Sequence, residues 1–213
     1  MHDIGPIQRF DHLELYVGNA KQAALFYANC FGFTNIAYRG LNTGSRDVTS
    51  YVMEQGEIRL VLSGALHPDH AIAQSVLKHG DTVAVVALEV LDAEKAFWEA
   101  TSRGAREAIA LTEEQDEQGV FRYAAIHVYG DTLIKFVERS QYQGFAPGFV
   151  MRQDTQPHPS AGLTTIDHVV ANVEYGAMDR WVQFFSEVMG FELLMHFDDQ
   201  AISTEYSALM SKV

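Results

Sequence analysis

Two of the three Asp-His dipeptides, Asp11-His12 and Asp167-His168, are the first places in this sequence where residue type suggests chemistry. A histidine on a strand that faces a cleft can hold a divalent metal if other imidazoles and carboxylates converge on it. Two His and one carboxylate on one face is the non-haem Fe(II) arrangement. One His alone holds a metal poorly, because such sites need several convergent ligands. A strand histidine satisfied by a structural hydrogen bond is therefore the competing reading for both. His67-Pro68-Asp69-His70 also carries metal-type residues. It reads better as a helix start, with Pro68 and Asp69 in the first turn before Ala71–Leu77. The acidic run from Glu113 to Gly119 lacks the spacing of a calcium loop and reads as a solvated hairpin tip. His158, between two prolines, reads as exposed, and Asp198-Asp199 as a turn. Cys30 has no nearby base and reads as a buried structural thiol. No phosphate loop and no nucleophile–base pair is apparent.

The elements around the two dipeptides repeat. Phe10-Asp11-His12-Leu13-Glu14-Leu15-Tyr16-Val17 matches Ile166-Asp167-His168-Val169-Val170-Ala171-Asn172-Val173. Each is followed by an amphipathic stretch, Ala20–Phe31 or Ala177–Met189, that ends in Gly and Phe. The offset is 156 residues at the Asp and 158 at the Gly, a register that unrelated segments would rarely keep. Leu13, Leu15 and Val17 alternate with Glu14 and Tyr16, which predicts a strand. Ala24, Leu25, Ala28 and Phe31 recur at helical spacing, as do Trp181, Phe184, Phe185 and Val188. Gly32 and Gly190 then stand where a left-handed residue ends a helix.

Three strands are expected next, at Thr34–Tyr38, Val48–Glu54 and Ile58–Leu62, with Gln55-Gly56 as a hairpin turn. A middle module repeats the order without Asp-His. Val83–Val90 is a strand, Asp92 caps the helix Ala93–Ser102, and Ala108–Leu111, Arg122–Val128 and Leu133–Val137 are strands. Gln141 to Thr164 is rich in Gly and Pro and reads as a linker. The third module adds strand material at His196–Ala201 and Ser203–Met210, and the sequence ends at Ser211-Lys212-Val213 inside an apolar run. That end reads as a truncation. The expected fold is α+β, built of strand–helix–three-strand units whose open sheets pair to enclose a cleft.

Composition narrows the function classes. The net charge is −13, which repels phosphate backbones and argues against nucleic acid or an anionic membrane as partner. No apolar stretch is long enough for a membrane-spanning helix, and no basic-then-apolar leader opens the chain. The single cysteine allows no internal disulfide and fits a reducing cytoplasm.

On these motifs the sequence resembles the 4-hydroxyphenylpyruvate dioxygenase family of the vicinal oxygen chelate superfamily, which includes 4-hydroxymandelate synthase. The resemblance runs through His79-Gly80-Asp81, Asp131 to Ser140, Tyr142-Gln143-Gly144-Phe145 and Pro147-Gly148-Phe149. It is most specific at Ile166 to Val173, Trp181 to Phe191 and His196 to Val213. It implies a catalytically silent N-terminal domain at 1–140, with modules at 8–63 and 81–140. A linker at 141–164 and the start of an iron-binding domain at 165–213 follow. His168 is then the first Fe(II) ligand, Val170 lines the substrate pocket, and Ser211 sits beside the bound keto acid. The second His and a Glu ligand are expected beyond Val213.

The implied reaction is the Fe(II)- and O2-dependent oxidative decarboxylation and ring hydroxylation of an aromatic α-keto acid to homogentisate, in tyrosine breakdown. The synthase attacks the benzylic carbon instead. By itself the chain is expected to be inactive, and a homo-oligomer is expected. In metal-binding relatives a carboxylate stands about where Lys135 does, so His12 is expected to be structural. Two further readings are a non-catalytic interaction module and a metal-free binder in the N-terminal cleft.

Overall fold

A computed structural model describes residues 5–153, 159–197 and 207–211. The first module is β1 (Ile7–Tyr16), α1 (Ala20–Phe31), β2 (Thr34–Arg39), β3 (Val48–Gln55) and β4 (Ile58–Ala65). A helix, α2 (Ala71–His79), leads into the second module. That module is β5 (Thr82–Val90), α3 (Ala93–Ser102), β6 (Glu107–Asp116), β7 (Gly119–His127) and β8 (Leu133–Glu138). Then follow β9 (Val150–Met151), α4 (Met178–Glu187), β10 (Glu192–Phe197) and β11 (Ser207–Ser211). The fold is α+β, with two βαβββ modules sharing one sheet.

Strands run in the order β6-β7-β8-β5-β1-β4-β3-β2-β9. The two modules meet at the antiparallel β1–β5 pair, and each first strand lies parallel to the last strand of its own module. This symmetry puts His12 opposite Ala87, and Ala87 opposite Lys135, in one row across three strands. Alternation divides β1 between two faces. Leu13, Leu15 and Val17 pack with Ala20, Ala24 and Ala28 of α1, while His12 and Glu14 line the opposite, concave face.

Helix boundaries follow local chemistry. Asn19 caps α1 by accepting from Gln22 N–H, Asp92 caps α3 by accepting from Lys95 N–H, and Gly32 closes α1 at φ 79°. The α1 core face is narrower than expected. Only Ala20, Ala24 and Ala28 are buried, and Leu25, Phe26 and Phe31 are exposed. Cys30 lies off that alanine stripe and is exposed, which corrects the reading of a buried thiol. The alanine stripe faces the sheet, and Ala23 and Tyr27 pack partly buried at its margins.

The acidic run lies at the exposed end of the β6–β7 hairpin, with its first four residues in the ladder. Glu113 to Asp116 continue β6, and the turn comes at Glu117-Gln118. Glu113 pairs with Arg122, Glu114 accepts from Tyr123 and Asp116 from Tyr142, so ladder and partners extend the hairpin. His70, not Pro68 or Asp69, marks the α2 boundary: its Nδ1 accepts from Ile72 N–H. His67 sits 3.8 Å from Asp47.

The third stretch differs most. Residues 166–173, expected as a strand, carry no ladder among the described residues. Alternation makes a strand only where a neighbour offers backbone groups to pair with. Gly190 closes the following helix region at φ 70°, and β10 pairs with β11. His158, Asp198-Asp199, and the strand expectations at 198–201 and 203–206 lie outside the described residues.

Candidate functional site

The two Asp-His pairs are built alike locally. Within each, the histidine Nδ1 meets the neighbouring aspartate, at 2.5 Å for His12–Asp11 and 2.7 Å for His168–Asp167. An ionised carboxylate only accepts, so Nδ1 donates and Nε2 is left as the free nitrogen. That is the tautomer a metal ligand uses.

Their surroundings are opposite. Asp11 and His12 side chains are almost wholly buried. Arg139 donates to both Asp11 oxygens, one of them at 2.8 Å, and to the Phe145 carbonyl at 2.5 Å. Burial alone would raise the Asp11 pKa. Hydrogen bonds from Arg139 and His12 outweigh it and hold the carboxyl well below the usual carboxylate range. The His12 ring packs edge-on to Phe145 at 5.4 Å. Its Nδ1–H and its ring are thus both engaged in a structural network.

Glu14 and Glu114 share the concave face with His12, but each is engaged by a protein hydroxyl, of Ser63 and Tyr123, and the position in the His12 row two strands away is not a carboxylate. Lys135 stands there, 4.1 Å over the Tyr123 ring, and desolvation by burial lowers its pKa. A cation opposite His12 repels a metal ion. The residues around His12 therefore do not fit a metal site.

Asp167 and His168 lie at the other extreme, with side chains 92% and 60% exposed. Val170, expected in the pocket lining, is 75% exposed. Ser211 ends β11 and pairs with Glu192 of β10. Among the described residues no three His, Cys, Asp or Glu side chains converge. They do not by themselves form a metal site, and no chemical step through a metal follows from them.

What does reach His168 from the fold is its tether. Residues 159–164 are stitched to the first module. Ala161 N–H donates to Phe31 O, Leu163 N–H to Gln55 Oε1, and Glu57 N–H to Thr164 O at 2.7 Å. The approach is so close that a Cβ on Gly32 would sit 2.4 Å from Pro159 O, and one on Gly56 2.6 Å from Thr164 O. Ile166 then packs on the α1 core and Val169 on the α3 core. Trp181, Phe184, Phe185 and Val188 of the α4 region join that second core against Tyr129. The chain immediately before and after His168 is anchored, and the imidazole is left outward.

Some of these residues carried no sequence signal. Asp11 and Arg139 are 128 positions apart, and nothing in either neighbourhood marks the pair. The stretch 142–152 was equally opaque. Phe145 is buried against Ala37, Val52 and Val61, and Val150 and Met151 add a short strand beside β2.

Comparison with known proteins agrees with this architecture. Residues 9–131 match the model of the Glyoxalase/Bleomycin resistance protein/Dioxygenase superfamily. The chain belongs to that superfamily. It is 42% identical over 217 aligned residues to a 4-hydroxyphenylpyruvate dioxygenase of Yarrowia lipolytica, covering 96% of this chain and 54% of the relative. A Caenorhabditis elegans protein of the same name is 40% identical, with 99% and 55% covered. The chain thus spans about half the length of the curated relatives it matches. Among solved structures, a variant 4-hydroxymandelate synthase from Streptomyces coelicolor superposes with a TM-score of 0.77 at 26% identity, over 90% of this chain and 55% of that one. A methylmalonyl-CoA epimerase from Mycobacterium tuberculosis shares the fold at a TM-score of 0.53. No described helix is long and apolar enough to cross a membrane.

Proposed function

We propose that this chain supplies the first part of a 4-hydroxyphenylpyruvate dioxygenase, which converts an aromatic α-keto acid and O2 to homogentisate and CO2 with Fe(II). In this reading residues 1–140 are a domain without catalytic role, 141–164 a joining segment, and 165–213 the opening of the iron domain. His168 is one iron ligand, Val170 a pocket residue and Ser211 a neighbour of the bound keto acid. The remaining His and Glu ligands come from sequence outside these residues, and the chain without them does not turn over substrate. The protein is cytoplasmic and homo-oligomeric.

The observation that carries this is the Asp167–His168 pair. Its hydrogen bond fixes the ligating tautomer, its Nε2 is open, and the sequence around it belongs to a chain 42% identical to a dioxygenase of that name. Val170, Tyr175, Leu193 and Leu194 are exposed apolar groups on the same stretch, which favours a covering partner. The 4-hydroxymandelate synthase outcome is the second reading, favoured by the fold similarity to that enzyme.

The test is to join this chain to the second half of the Yarrowia relative and measure homogentisate and CO2 from 4-hydroxyphenylpyruvate with Fe(II). Turnover that is lost in His168→Ala and kept in His12→Ala is the expected result. Turnover insensitive to His168, or homogentisate formation by the 213-residue chain alone, would overturn the assignment.

A further inference from the structure

We propose that the cavity between the first two modules binds a small carboxylate anion, held by Arg39 and Lys135. The cavity has a volume of about 100 Å³ and lies on the concave face of the sheet, with strands of both modules as walls and residues 145–149 across its mouth.

The argument rests on which polar groups there are already engaged. Arg139 is engaged by both Asp11 oxygens and by the Gly144 and Phe145 carbonyls. Glu14 accepts from Ser63 at 2.7 Å, and Glu114 accepts from Tyr123 at 2.8 Å. The two carboxylates in the wall therefore have protein donors. Among the described residues the Arg39 Nε and the Lys135 amine have no hydrogen-bond or ion-pair acceptor. The Arg39 Nε is buried with no hydrogen-bond partner among the described residues, and its guanidinium lies 4.9 Å from the Phe149 ring. Lys135 has no carboxylate within ion-pair distance among the described residues, and its amine rests on the Tyr123 face. A buried donor left unmade costs about 1–3 kcal/mol, so the Arg39 Nε, with the unpaired Lys135 amine in the same cavity, calls for an occupant that only accepts.

A carboxylate meets that requirement, and an arginine fork matches its two oxygens. Phe121, Tyr123 and Phe149 supply an apolar wall for a short carbon chain. Size sets the limit. A cavity of roughly 150 Å³ admits benzene, so this smaller one suits an acid of about two or three carbons and excludes an aromatic acid. The site is thus distinct from any that would take an aromatic keto acid. Burial already holds the Lys135 amine below its ordinary range, and a bound anion would reverse that.

The experiment titrates the whole chain with sodium acetate against sodium chloride at constant ionic strength. The Arg39 Nε–H resonance and the thermal midpoint are followed together. Saturable acetate binding is expected, with a Kd on the order of 1 mM. Arg39→Gln and Lys135→Met should each weaken it at least about tenfold. Ala146→Leu, which narrows the cavity without touching a charge, should weaken it as well, and benzoate should leave the Arg39 resonance unmoved. Circular dichroism of each variant establishes that it is folded before its affinity is compared. No saturation with acetate, an equal response to chloride, or unchanged affinity in the folded charge variants would overturn the site. Saturable methylammonium binding in place of acetate would assign the cavity to Glu14 and Glu114 and overturn it too.

Discussion

Asp11-His12 and Asp167-His168 have the same two residues and the same internal hydrogen bond, yet they do different work. Around the first pair the protein closes. Arg139 clamps the aspartate, Phe145 covers the imidazole, and Lys135 occupies the row where a metal would need a carboxylate. Around the second, the anchoring contacts fall on Ile166 and Val169, while the aspartate and imidazole stay in solvent. The Asp–Nδ1 hydrogen bond thus sets the tautomer in both pairs, and the shell decides whether that tautomer is a structural strut or an available ligand.

The largest effect should come from the exposed pair. In the joined dioxygenase described above, His168→Ala should lower turnover by at least about a hundredfold, since loss of even an outer-shell partner costs 10–100-fold. His12→Ala should leave turnover in place and shift the thermal midpoint. Loss of iron from the His12 variant would reverse the two roles.

Next is the buried carboxylate. Asp11→Ala removes the carboxylate that Arg139 and His12 share and leaves the guanidinium charge unpaired, which should destabilise the chain by about 3–5 kcal/mol in denaturant titration. The pH dependence follows from the direction of the Asp11 shift. Its folded pKa is depressed, so its contribution is full above the unfolded value of about 4 and is lost progressively as pH falls from there through the much lower folded value. Asp11→Asn should flatten that acid limb. An acid limb identical to the unaltered protein would mean that the pair is not the clamp it looks to be.

Lys135 should give a smaller effect of opposite pH sign. Its folded pKa is lowered, so below it the unfolded chain is favoured. Stability then rises with pH through the window between the folded value and about 10.4. Lys135→Met keeps the stem and removes the charge. It should raise stability near neutral pH by about 1 kcal/mol, with the gain shrinking toward pH of roughly 10. A gain constant with pH would point to packing instead of desolvation.

The smallest stability effect belongs to Asp167→Ala. An exposed pair contributes little, so less than about 0.5 kcal/mol is expected, although iron affinity in the joined enzyme should drop about tenfold. A destabilisation comparable to that of Asp11→Ala would erase the contrast between the pairs.

Much of the fold was readable from local chemistry. Asn19, Asp92, Gly32 and Gly190 set helix ends, and alternation located the strands of both modules, because capping and periodicity act over a few residues. The strand expected at 166–173 was a different matter, since a ladder depends on a partner that alternation cannot name. Cys30 and Leu25 were misplaced for a related reason: helical spacing marks a stripe, but the sheet packed against it decides how wide a stripe is buried.

The sequence by itself determined the βαβββ order and the duplication that repeats Asp-His, both consequences of short-range pattern. Only the tertiary structure decided which pair is sealed. That depends on Arg139, 128 positions from Asp11, on Lys135, two strands from His12, and on a covering segment that runs from residue 142 to 152. Burial, desolvation and ion pairing are sums over spatial neighbours, and a chain acquires those neighbours only by folding.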